Sequence, residues 1–92
     1  MYYILFYKTV DGYIEKRAPL RPLHLDLVND THLKGTLVMA GALADPADGA
    51  ILVFKGDSPQ VAEEFVASDP YVKNGLIKEW TIRPWIVVVG GE

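Results

Sequence analysis

Two residues far apart in the chain, His24 and Asp69, are of the types needed for proton transfer, and their neighbours set both on apolar faces. An imidazole exchanges a proton near neutral pH, and a carboxylate bonded to one ring nitrogen fixes the tautomer and raises the basicity of the other. On a helical wheel of about 100° per residue, Arg17, Leu20, Leu27, Val28 and Thr31 fall within roughly 60° of His24, which predicts that the imidazole faces inward. With Ala62 as origin in a second helix, Phe65, Val66 and Asp69 cluster within about 60° in the same way. A carboxylate there is disfavoured by desolvation and by the negative end of the helix dipole, so it needs a partner. Spacing alone leaves two readings of such a pair: a general acid/base, or a satisfied polar contact that ties two helices together. Arg21, about 60° from His24 on the wheel, offers a cation to an anionic substrate or is a solvated first-turn arginine.

Other candidates carry less. His32 lies about 80° from the His24 direction and is expected at the exposed rim. Asp45 and Asp48 sit among turn formers, and no group of carboxylates and histidines has metal-ligand spacing, so no metal is expected. Neither Gly90-Gly91 nor any other stretch forms a dinucleotide or phosphate-loop fingerprint, and no cofactor is expected. The absence of cysteine excludes disulfides, thiolate zinc sites and a cysteine nucleophile. A net charge of −3 provides no basic footprint for nucleic acid or anionic membranes. The chain opens on the apolar run Tyr2 to Tyr7 without the charged leader of a signal peptide, and no run approaches membrane-spanning length; a cytoplasmic protein is the expectation.

The elements that must position the pair follow from periodicity and punctuation. The 92 residues, half of them hydrophobic, suit one domain, 1–92, with a modest core. Tyr2 to Lys8 reads as a strand. Arg17 to Lys34 reads as a helix on the spacing of Leu20, Leu23, Leu27 and Thr31, with Pro19 and Pro22 in its early turn and Gly35 as its stop. Thr36 to Leu43 and Ala50 to Phe54 form a hairpin around the turn Ala44 to Gly49. Ser58-Pro59 opens a second helix and Asp69-Pro70 closes it; after the short turn Tyr71 to Gly75, Leu76 to Arg83 is the last strand. Strand, helix, two strands, helix, strand predicts an α+β fold, a ferredoxin-like β-α-β-β-α-β sandwich with both helices on one face of an antiparallel sheet. Yet Tyr2 to Tyr7, Leu37 to Leu43 and Ile51 to Phe54 are apolar at nearly every position, where a half-covered sheet should alternate. A homodimer packed through the second face, joined by the tail Ile86 to Val89, would account for this.

Glu15-Lys16-Arg17, Arg21-Pro22-Leu23-His24-Leu25, Gly35 to Gly41 and Asp69-Pro70-Tyr71-Val72 followed by Gly75 together resemble the pattern of the YciI-like proteins over nearly the whole chain. The resemblance implies a dimeric α+β barrel in which His24 and Asp69 are the proposed catalytic pair. Fold relatives include muconolactone isomerases, and some YciI-like members are linked to dehydrochlorination of hydroxyquinols. A small cofactor-free lyase or isomerase acting on a cyclic or phenolic compound is therefore implied, with a non-catalytic ligand-binding or accessory domain as the alternative. Arg21 and Tyr71 become the expected substrate contacts, and Tyr3, Tyr7, Phe54, Phe65, Trp80 and Trp85 are further aromatic candidates for the pocket. The loop Ala44 to Gly49 is shorter than in longer relatives, so contacts made there by other members are not expected.

Overall fold

A computed structural model describes residues 1–91. Its elements are β1 (Tyr2–Thr9), α1 (Tyr13–Arg17), α2 (Arg21–Leu33), β2 (Leu37–Ala42), β3 (Gly49–Lys55), α3 (Gln60–Ser68), α4 (Pro70–Lys73) and β4 (Ile77–Trp85). The four strands form one antiparallel sheet in the order β2-β3-β1-β4, the ferredoxin-like order expected from the sequence.

The first helical region differs from the expected single helix over Arg17 to Lys34, because it is broken between Arg17 and Arg21. Pro22 in a continuous helix would lack the N–H that bonds to residue 18 and its ring would clash there; instead it occupies the first turn of α2. α2 ends before Gly35, whose φ of 89° is a left-handed conformation open to glycine. The face of α2 is centred on Leu20, His24, Leu27 and Val28, while Leu23, which had been grouped with that stripe, is 59% exposed. Its offset of about 100° from His24 carries it off that half-buried face. β4 runs two residues past Arg83 through Pro84 and Trp85, which an edge strand tolerates because its outer hydrogen-bonding row has no partner. Gly49 opens β3 where a Cβ would lie 2.6 Å from the Tyr7 carbonyl oxygen, so only glycine allows that approach.

Alternation along β1 divides the sheet. Tyr3, Leu5, Tyr7 and Thr9 are buried on the helix side, where Leu52, Phe54, Ala62, Phe65 and Val66 complete the core. On the other side Ile4 pairs with Val53 and Phe6 with Ile51, with Met39 beside Val53 and Trp85 beside Tyr2. Helices cover the first side only. Met39, Trp85, Ile86, Val88 and Val89 are all exposed. Among the described residues no helix is long and apolar enough to cross a membrane.

Candidate active site

Asp69 lies where α3 stops and α4 starts. Pro70 disfavours a helical conformation at the residue before it, and Asp69 accordingly has φ −72° and ψ 119°, extended backbone that ends α3. The same residue caps α4, its Oδ1 accepting from the Tyr71 N–H at 3.0 Å. Oδ1 also faces His24 Nδ1 at 2.7 Å, and Oδ2 accepts from the Tyr7 hydroxyl at 2.7 Å. The side chain is fully buried, yet three donors converge on its two oxygens. This resolves the conflict expected for a carboxylate at a helix C-terminus: the chain restarts at once, and donors from β1, α2 and α4 replace the lost water.

A carboxylate only accepts, so Nδ1 of His24 donates this bond and Nε2 is the ring nitrogen left to exchange a proton. Tyr71 fixes the ring plane, stacking on the imidazole at 3.8 Å between centroids and 7° between planes, and Phe65 meets the ring edge-on at 6.4 Å. Burial, followed by the Asp69 charge and hydrogen bond, pushes the Tyr7 phenol far above its ordinary value of 10.0, so it stays a donor. Burial also raises the Tyr71 phenol, with Tyr13 adding to the rise and Arg17 and Arg21 opposing it. Arg21 comes near that hydroxyl, but no hydrogen bond of ordinary geometry reaches it.

His24 retains 14% exposure of its side chain and opens on a cavity of about 290 Å³. The helical wall of the cavity is Arg17, Arg21, His24, Leu25 and Val28; its floor is the small-residue end of the sheet, Ala40, Ala42 and Ala50. Tyr7, Tyr13 and Tyr71 close the remaining side. A void of roughly 150 Å³ holds benzene, so this one has room for a substituted ring.

All four expected site residues, His24, Asp69, Arg21 and Tyr71, therefore converge on one place, Asp69 from behind the imidazole. Of the other aromatic candidates only Tyr7 lines the cavity; Tyr3, Phe54 and Phe65 belong to the core, and Trp80 and Trp85 are about half exposed on edge strand β4. Arg17 reaches the cavity from α1, not from the His24 helix on whose wheel it had been placed. Sequence reasoning missed Tyr13 and the Tyr7 bond to Asp69; the only local signal for Tyr7 is its place in the inward alternation of Tyr3, Leu5 and Tyr7. His32 is exposed as expected, and its Nδ1 lies 2.7 Å from the Leu37 carbonyl oxygen at the end of α2. Among the described residues no group of three or more His, Cys, Asp or Glu could hold a metal ion.

Residues 1–86 match the family described as the YCII-related domain. Two full-length relatives are a Haemophilus influenzae protein, 28% identical, and the protein YciI of Escherichia coli, 27% identical; each match covers 92% of this chain and 96% of the relative. Among solved structures, the 5-chloro-2-hydroxyhydroquinone dehydrochlorinase of Burkholderia phenoliruptrix, in complex with 2,5-dihydroxybenzoquinone, superposes with a TM-score of 0.78 at 21% identity over 94% of both chains. A Mycobacterium tuberculosis protein does so with a TM-score of 0.54 at 16% identity over 97% of both. The fold, the order of its strands and the extent of the family match agree, and the chain belongs to the YCII-related family.

Proposed function

We propose that this protein is a small cofactor-free lyase or isomerase that moves a proton on a cyclic or phenolic compound, with His24 as the acid/base and Asp69 as the group that orients it. The observation that carries this reading is the position of His24: Nδ1 is tied to a buried carboxylate while the ring faces a ligand-sized cavity. A purely structural pair would be sealed. The dehydrochlorinase of the same fold supports a hydroxylated ring as the substrate class. In such a step Nε2 accepts a proton from a ring hydroxyl, the O–H electron pair forms a carbonyl, and a ring carbon takes the proton back. That ketonisation is complete in itself for an isomerase. When the carbon bears a halide, the halide leaves with its bonding pair while a second hydroxyl gives up a proton, a net loss of HX. Arg21, which lines the same cavity, would be the auxiliary cation for an anionic substrate.

Chloride release from 5-chloro-2-hydroxyhydroquinone and isomerisation of muconolactone test the reading on the wild type and on His24→Ala. Turnover that disappears in a folded His24→Ala supports it. Full activity in the variant, or none with either compound in the wild type, leaves the alternative, a ligand-binding or accessory domain whose pair ties α2 to the α3–α4 junction.

We also propose that the chain acts as a homodimer joined through its uncovered sheet face. The support is apolar side chains in register there, Ile4 with Val53 and Phe6 with Ile51, continued by the exposed Ile86, Val88 and Val89.

A further inference from the structure

The helical wall of the cavity is cationic in a protein that is acidic overall. Arg17 and Arg21 are two of only three arginines in the chain, and both line the cavity, whereas none of its lining residues is Asp or Glu although the chain has twelve. Among the described residues the ion pairs are Lys8–Glu79 and His24–Asp69, so neither arginine has an acidic partner. Arg17 is nevertheless held in place: its guanidinium carbon lies 5.2 Å above the Tyr13 ring, and Nη1 is 3.4 Å from the Tyr13 hydroxyl. Beside them the Tyr71 hydroxyl is buried with no hydrogen-bond partner, in a side chain only 2% exposed. A buried donor left unpaired is costly unless something else completes it. The Tyr71 ring lies flat on His24, 3.8 Å between centroids, so the residue that carries this hydroxyl also touches the imidazole.

From this arrangement we infer that Arg17, Arg21 and the Tyr71 hydroxyl form a carboxylate subsite, and that the ligand is a planar cyclic acid whose carboxylate docks there while its reacting atom meets His24. Guanidinium forks match the two oxygens of a carboxylate, and a tyrosyl donor supplies a third bond. The inference rests on the reading that the His24 cavity is the substrate site and names the class of substrate it selects. It also gives Tyr71 two tasks, aligning the imidazole by its ring and the ligand by its hydroxyl.

Calorimetric titration of the full chain with benzoate, benzamide and inorganic phosphate is the test. Benzoate should bind at least about tenfold more tightly than its neutral isostere benzamide. Arg17→Gln and Tyr71→Phe should each weaken benzoate about tenfold while leaving benzamide unchanged, and Arg83→Gln, remote from the cavity, should change neither. Tyr71→Phe keeps the stacked ring and removes a hydroxyl with nothing to lose, so it should melt no lower than wild type. Equal affinity for benzoate and benzamide, indifference of benzoate to both cavity variants, displacement of benzoate by an equal concentration of phosphate, or a lowered melting point for Tyr71→Phe would each overturn the subsite. Benzoate discrimination without hydroxyquinol or lactone turnover upholds the subsite and removes the proton-transfer reading; turnover without discrimination does the reverse.

Discussion

The two faces of the sheet are built from the same strands and are almost equally apolar, yet they treat their polar groups in opposite ways. On the helix side the polar atoms of Tyr7, His24 and Asp69 are drawn into one buried network by bonds of 2.7 Å. On the other side the ion pair Lys8–Glu79 lies at 3.3 Å with both side chains about two-thirds exposed. Low dielectric makes the buried network strong when complete and costly when broken, whereas water screens the exposed pair in either case. Apolar patterning alone thus does not distinguish the two faces; the fate of their polar groups shows where precise geometry is required.

Asp69→Asn should produce the largest effect, because the amide keeps the shape but turns an N–H toward one of three donors. Turnover should fall by about 10² to 10⁴, and stability by about 1 to 3 kcal/mol. Activity per folded molecule and thermal melting, measured together, separate the chemical loss from the structural one. A sharp fall in melting temperature with activity per folded molecule intact would make the network a helix tie and nothing more.

Phe6→Asp tests the opposite face. A charge at the centre of the apolar register should halve the mass seen by light scattering at micromolar concentration, and a wild type that is already monomeric would refute the dimer.

Tyr7→Phe is a gentler probe of the buried network. Removing the hydroxyl leaves Oδ2 of Asp69 without its donor and should cost about 1 to 2 kcal/mol near neutral pH. Its pH dependence has a definite sign. The folded phenol is raised above the unfolded value of 10.0, so its stabilising effect is fully present below about pH 10 and is lost as the pH rises beyond that, where the unfolded chain sheds a proton that the folded one keeps. Wild-type melting temperatures should therefore decline more steeply than those of Tyr7→Phe above about pH 10. Parallel declines would show that the Tyr7 proton is not held by the network.

Lys8→Ala should matter least, within about 0.5 kcal/mol by urea titration, and that remainder should vanish in added salt. A cost comparable to that of Tyr7→Phe would abolish the contrast between the faces.

The order of elements and the ferredoxin-like fold were legible in the sequence because they rest on short-range rules. Inward alternation in β1, the Ser58-Pro59 start and the Asp69-Pro70 stop act within a few residues, where backbone sterics leave few choices. For the same reason His24 and Asp69 could be placed on inward faces before any contact between them was known. The break between Arg17 and Arg21 was missed because Pro19 and Pro22 fit the early turn of one helix beginning at Arg17 as well as the start of a second helix. What only tertiary structure decided is everything that depends on distances between elements. It brings the Tyr7 hydroxyl to a carboxylate 62 residues away, carries Arg17 from a separate helix into the cavity, and lays Tyr71 flat on the imidazole. Periodicity assigns a side chain to a face, but a hydrogen bond or a stacked ring requires atoms positioned to within a fraction of an ångström, and packing of helices on the sheet sets those positions.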